Sequence, residues 1–208
     1  MNIIDNLNWR YAVKKFNTKK VPDKDIQTLK EAIKLSPSSY GLQPYRVIVI
    51  SSEDIKRELL PYSYGQDKVA HCSHLFVFAA EKSSPDVIVD RYIDAYAKAN
   101  AVAPNMLLDM SKQMKGALTG KDTLEIQQWA HQQVFIALGN FLTCAANLKI
   151  DTCPMGGFES NGYDKVLALK DENLTTSVIC PVGYRHHEDR NAYKPKVRLD
   201  DNLLFEER

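Results

Sequence analysis

Ile150-Asp151-Thr152-Cys153-Pro154-Met155-Gly156-Gly157-Phe158 is the stretch on which the reading of this chain turns. A long helical pattern ends just before it. A short strand leads into a proline, and then two glycines stand side by side. Paired glycines remove two Cβ atoms, so backbone N–H groups can approach a flat or bulky ligand closely. A plain strand-to-helix turn reads the same way on this segment alone. The rest of the chain decides between the two.

The 208 residues suffice for one domain with a substantial core or two small ones. Hydrophobic residues at 44% and charged residues at 25% are ordinary for a globular chain and exclude a disordered or membrane-like composition. Basic residues number 27 and acidic 26, so no global field recommends nucleic acid or an anionic membrane as partner. Any anion site must be built locally. Met1-Asn2-Ile3-Ile4-Asp5 carries no basic region followed by an apolar run, so no secretory signal is read there. The longest apolar runs, 47–50 and 75–80, are too short to span a bilayer. Cys72, Cys144, Cys153 and Cys180 are scattered, with no Cys-x-x-Cys. They read as reduced, mostly buried small hydrophobes of a cytoplasmic protein.

Upstream, residues 2–9 form a short candidate helix with Ile3, Ile4 and Leu7 on one side. Pro22 and Asp23 open an amphipathic helix with Ile26, Leu29, Ala32 and Ile33 as its stripe, ended by Ser36-Pro37. Residues 46–50, 75–80 and 176–182 carry the apolar, β-branched signature of strands buried on both faces. Short helices are expected at 53–60, 65–72 and 164–169. From 85 to 148 there is no strand pattern, only helices broken near Pro104 and Gly116 to Gly120. The last of these, 129–148, is apolar over most of its circumference, as suits the centre of a core or a subunit interface. Residues 184–195 are polar and rich in histidine and charge, and read as an exposed loop. Strands and helices alternate too irregularly for a doubly wound fold. The class is α+β, a small sheet packed by many helices, with no linker dividing 1–208.

Three groups could carry chemistry. Arg10 and Lys14 share a face whether the segment is helix or strand, and Ala12 joins them if it is strand. Such a pair suits a phosphate, since arginine offers a planar fork and lysine a point charge. Lys196 and Arg198 point the same way in an extended segment. Ser36-Pro37-Ser38-Ser39-Tyr40-Gly41-Leu42-Gln43-Pro44 clusters hydroxyls and an amide just before a buried strand, where loops commonly host ligands. Each also reads blandly, as surface charge or as a helix-terminating loop. His71-Cys72-Ser73-His74 fits no common zinc spacing, so no metal is expected. No Gly-x-Gly-x-x-Gly, Walker loop or Gly-x-Ser-x-Gly is present.

In order and spacing these segments resemble the nitroreductase family of FMN flavoproteins, of the oxygen-insensitive NAD(P)H nitroreductase and dihydropteridine reductase type. The matching pieces are Arg10-Tyr11-Ala12-Val13-Lys14-Lys15-Phe16, then Ser36-Pro37-Ser38-Ser39 through Gln43-Pro44, and Lys68 before the second strand. They continue with Gly139-Asn140-Phe141-Leu142, Pro154-Met155-Gly156-Gly157-Phe158, Pro181-Val182-Gly183 and Lys196-Val197-Arg198. The resemblance covers essentially the whole chain. It implies the nitroreductase-like fold: a small mixed sheet packed by helices, with the long central helix in an intertwined homodimer.

The resemblance also implies roles. Arg10, Lys14, Lys196 and Arg198 hold the FMN phosphate and ribityl chain. Lys14 and Lys68 reach the pyrimidine edge of the flavin, where a cation stabilises the anionic reduced form. Tyr11 and Ala12 contact FMN partly through backbone. Pro37, Ser38, Ser39 and Gln43 come from the other subunit, because FMN lies at the dimer interface. Pro154, Met155, Gly156 and Gly157 border the flavin, and the Gly157 N–H is directed at N5. NADH or NADPH gives a hydride to N5, and a nitroaromatic, quinone or pterin then takes the electrons. Tyr40 and Gly41 lie at the mouth of the acceptor pocket. Relatives often carry a hydroxyl near positions 12 or 13, an asparagine at 65 and a glutamate at 156; this chain has Ala12, Val13, Gly65 and Gly156. A flavin reductase that releases reduced flavin, or a flavin-binding protein without turnover, are the other readings.

Overall fold

The computed structural model describes residues 2–208. In chain order the elements are α1 (Ile3–Trp9), α2 (Asp23–Lys34), β1 (Tyr45–Ile50), α3 (Glu53–Leu59), α4 (Lys68–His71), β2 (His74–Glu81) and α5 (Pro85–Asn100). There follow α6 (Leu108–Leu118), α7 (Thr123–Asn147), β3 (Asp151–Thr152), α8 (Ser160–Val166), β4 (Leu174–Gly183) and α9 (Asp201–Leu204).

Helix α7 starts at Thr123, six residues before the expected 129, because a capping box fixes its end there. The Asp122 carboxylate accepts the Glu125 N–H and the Glu125 carboxylate accepts the Asp122 N–H, both at 2.8 Å, so two orphan donors are satisfied reciprocally. Its buried side chains Ala130, Val134, Leu138, Phe141 and Ala145 recur with helical period and pack with the sheet, while Ile126 packs with α5 and α6. The Phe141 ring packs 4.8 Å from Phe76 and 5.5 Å, edge-on, from Phe78. Truncating such a buried ring to alanine costs about 3–5 kcal/mol.

The four strands run in the order β1-β2-β4-β3, and every ladder is antiparallel. The sheet's mixed character rests on one parallel bridge, Ala12 to Thr152. Central β2 is buried from Leu75 to Glu81, as a strand covered on both faces must be. Phe76, Phe78, Val178 and Val182 lie against α2 and α7. Leu75, Val77 and Ile179 face the other way, onto Val13, Cys153, Met155 and Tyr163. The second of these two layers carries the site.

Two expectations, for β1 and α8, need correction. Strand β1 is only half-buried over most of its length, because it is an edge strand rather than an interior one. Helix α8 begins four residues early, since the chain turns at once after the glycines: Phe158 N–H donates to Gly156 O at 3.2 Å and Glu159 N–H to Tyr62 O at 2.8 Å. Helix α1 forms where it was expected, and its Ile3, Ile4 and Leu7 face is exposed in the single chain, at 59%, 59% and 38%. Among the described residues no helix is long and apolar enough to cross a membrane.

Candidate active site

The 150–158 stretch is stitched to β4. Cys153 N–H donates to Pro181 O at 3.0 Å, and Met155 exchanges bonds with Ile179 at 2.8 and 3.2 Å. Pro154 falls on the alternate position, where the missing N–H removes nothing from the ladder. Beyond Met155 the pairing stops. A Cβ built on Gly156 or Gly157 meets nothing within 4 Å, so open space lies in front of both. Their N–H groups have no acceptor among the described residues, while Gly157 O is held by Gln66 Nε2 at 2.9 Å. The turn is thus fixed from behind and free in front.

The basic N-terminal segment is laid alongside it. Ala12 bridges Thr152, and Val13 N–H donates to Thr152 O at 3.3 Å. The segment is therefore extended, with Val13 buried in the core and Arg10, Ala12 and Lys14 on the opposite side. That resolves the helix-or-strand alternative for these residues.

Two carboxylates absent from the sequence reading lock this arrangement. Asp189 is 4% exposed. Its Oδ2 accepts the N–H groups of Lys14 at 2.7 Å and Lys15 at 3.2 Å, and its Oδ1 those of Asn191, backbone and side chain. Burial alone would raise this carboxyl. The bonds from Lys14, Asn191 and Lys15 outweigh it and hold the group at about 2. Asp151, 3% exposed, takes Arg185 Nη2 at 2.6 Å, Nε at 3.0 Å and the Arg185 N–H at 2.7 Å. The same guanidinium stacks on Trp9 at 4.2 Å and Tyr11 at 4.6 Å. Residues 184–195, expected as an exposed loop, thus include the clamp on the basic segment. An acidic side chain is buried here because backbone N–H groups solvate it.

Cations gather on the open side. Burial pushes the Cys153 thiol up, and Lys68, Lys14 and Arg10 all oppose the rise, so the three lie within electrostatic reach of one side chain. Burial draws the Arg10 guanidinium down; Cys180 opposes that and Arg198 adds to it. Burial, Arg10 and Arg198 together lower Lys196. Among the described residues none of Arg10, Lys14, Lys68, Lys196 or Arg198 has a carboxylate within 4.0 Å. Arg10 Nε is buried without a hydrogen-bond partner. Like charges held together with an orphaned donor are what an anion site requires. Lys196 is additionally turned onto the carbonyls of Leu7 and Arg10 at the end of α1, and Arg198 onto Val197 O at 2.6 Å.

The serine loop lies elsewhere in the chain. Ser39 N–H donates to Gln133 Oε1 at 2.8 Å, and Gln43 N–H to Ser38 Oγ at 3.0 Å. Tyr40 and Gln43 sit in the left-handed region, at φ 55° and 43°, beside Gly41 at 73°. A Cβ on Gly41 would be 3.0 Å from the Tyr92 ring, so that contact needs glycine. Gly41 and Gln43 line a cavity different from that of Lys14 and Lys68. Within one chain Gly41 and Gln43 thus line a different cavity from Lys14 and Lys68, and Pro37, Ser38, Ser39 and Tyr40 belong to the same loop, which Ser39 ties to α7.

A family model described as the Nitroreductase family matches residues 7–184. A Staphylococcus haemolyticus protein bearing an NAD(P)H nitroreductase name is 35% identical, over 94% of this chain and 92% of its own length. The oxygen-insensitive NAD(P)H nitroreductase of Salmonella typhimurium is 30% identical, over 96% of each chain. The chain belongs to the nitroreductase family. Its backbone shares the fold of solved members of that family. A protein from Exiguobacterium sibiricum whose crystal structure is a complex with FMN superposes with a TM-score of 0.85, at 19% identity and over 100% of this chain and 98% of the other. Of the residues expected at a nitroreductase site, Arg10, Tyr11, Ala12, Lys14, Lys68, Pro154, Met155, Gly156, Gly157, Lys196 and Arg198 fall in one region. Asp189, Asp151, Arg185 and Gln66 were missed. Only the Asp189-Arg190-Asn191 spacing, which suits an Asx turn, could have signalled any of them.

Proposed function

We propose that this chain is an FMN-dependent NAD(P)H oxidoreductase acting by ping-pong transfer on nitroaromatics, quinones or pterins. The observation that carries it is the juxtaposition of Gly156 and Gly157, with free N–H groups and open space, against a set of cations without carboxylate partners. Bound FMN supplies the chemistry, taking two electrons from a reduced nicotinamide and passing them to an acceptor. Arg10, Lys196 and Arg198 hold the phosphate, with the Arg10 Nε as a donor already desolvated. Lys14 and Lys68 face the pyrimidine edge and favour a reduced, anionic ring. The Gly157 N–H serves as the backbone donor at N5.

The serine loop completes the site from a second copy, so the working unit is a homodimer with each FMN at the interface. The separation of Gln43 and Gly41 from the cations within one chain supports this, as do the exposed apolar residues Ile3, Ile4, Phe135 and Ile136 on α1 and α7. The whole of 1–208 acts as one FMN-binding domain. Its four cysteines are free, which fits the cytoplasm. The purified protein is expected to be yellow with FMN and to bleach anaerobically on adding NADH or NADPH. Protein that stays colourless after reconstitution with FMN sinks the reading.

A further inference from the structure

A cavity of about 750 Å³ has Lys14 and Lys68 in its wall. It runs between the extended segment 14–20 and helices α3 and α4. Six cationic side chains line it: Lys14, Lys15, Lys19, Lys20, Arg57 and Lys68. The carboxylates on its wall are Glu53 and Asp67. Glu53 is shared between Lys20 at 3.5 Å and Arg57 at 3.3 Å, and Arg57 also meets Asp54 at 3.2 Å. Lys15 pairs with Glu188. Lys14, Lys19 and Lys68 have no carboxylate within 4.0 Å among the described residues. Lys19 Nζ instead rests 4.7 Å from the centre of the Tyr184 ring, an interaction that leaves its charge available to an anion.

The cavity is thus cationic along its length and continuous with the two lysines assigned to the flavin edge. Its size falls within the roughly 300–1,000 Å³ of small-molecule sites. A ligand that reached from the flavin into it would be elongated and carry anions along its length. We propose that it takes the phosphates of the nicotinamide donor, and that Lys19 and Lys20 bind the 2′-phosphate that distinguishes NADPH from NADH. The inference rests on the oxidoreductase reading above and names its donor. The 2′-phosphate is a dianion near neutral pH, and Lys19 meets it without having to leave a carboxylate. Lys20 shares Glu53 with Arg57, so it can turn to the phosphate while Arg57 keeps Glu53 neutralised. Neither Lys19 nor Lys20 belongs to the flavin-holding set, so changing them leaves FMN in place.

The test is calorimetric binding of NADP⁺ and NAD⁺ to the FMN-loaded protein, with KM for NADPH and NADH beside it. The wild type is expected to bind NADP⁺ about tenfold tighter than NAD⁺, by an advantage that shrinks as salt is raised. In K19E/K20E that advantage disappears, NADP⁺ losing more affinity than NAD⁺, with the visible FMN band retained. K19Q/K20Q, which introduces no new charge, loses most of it and covers a misfolded charge reversal. Equal affinities in the wild type, or a ratio unchanged in both double variants, overturn the inference. Failure of both donors to bleach the flavin would instead remove the oxidoreductase reading, whatever the binding ratio.

Discussion

Residues 184–193 and residues 194–208 look alike as sequence, polar and highly charged, yet the structure uses them in opposite ways. In the first, Arg185 and Asp189 are spent inward: one on Asp151, Trp9 and Tyr11, the other on the backbone of Lys14 and Lys15. In the second, Lys196 and Arg198 meet only carbonyl groups, and Val197, Leu199 and Phe205 are 81%, 62% and 69% exposed. The difference teaches that charge content does not decide burial; the supply of partners does. The first segment builds the site's frame and the second brings cations to it.

The largest expected effect strikes the frame. Arg185→Met strips the buried Asp151 of its ion pair and should destabilise the protein by about 3–5 kcal/mol in urea unfolding. A loss under about 1 kcal/mol would place the clamp elsewhere. Asp189→Asn should cost about 1–3 kcal/mol, since an amide cannot accept from both the Lys14 and Asn191 sides without opposing a donor to a donor. It also tests the pH dependence. The folded Asp189 carboxyl lies at about 2, below its ordinary 3.8, so its contribution is complete above 3.8 and is lost as pH falls towards 2. The wild type should therefore shed about 2 kcal/mol between about pH 4 and pH 2 that Asp189→Asn lacks. Parallel acid unfolding of the two proteins would refute the assignment. The smallest stability effect belongs to the tail. Arg198→Ala should move stability by no more than about 0.5 kcal/mol yet weaken FMN retention about tenfold. Arg190→Ala, in the framing segment but exposed, should leave FMN retention alone. Equal retention by the two variants would erase the contrast between the segments.

Much of this was readable without coordinates. Helix α7 announces itself by its apolar breadth and β2 by an unbroken apolar run, because both signals are local, whereas the Asp122–Glu125 capping box that starts α7 went unread. The basic pair at Arg10 and Lys14 and the paired glycines were visible for the same reason. The edge position of β1 was not, since Arg46 to Ile50 reads like an interior strand and only the strand order exposes its free side. Asp189 was hidden because its partners are backbone N–H groups 174 and 175 residues away. Every residue but proline carries such a donor, so no side-chain pattern records it.

The sequence by itself determined which residues could serve an anion and a flat ring: two cations at each end of the chain, and two adjacent glycines after a proline. It determined the family through their order. Only the tertiary structure decided that they meet. The Ala12–Thr152 bridge sets the basic segment beside the glycine turn, and Asp189 and the Asp151–Arg185 pair keep it there. The physical reason is that chemistry resides in side chains, which a sequence spells out. Convergence resides in backbone pairing and buried charge satisfaction, which depend on residues far apart in the chain.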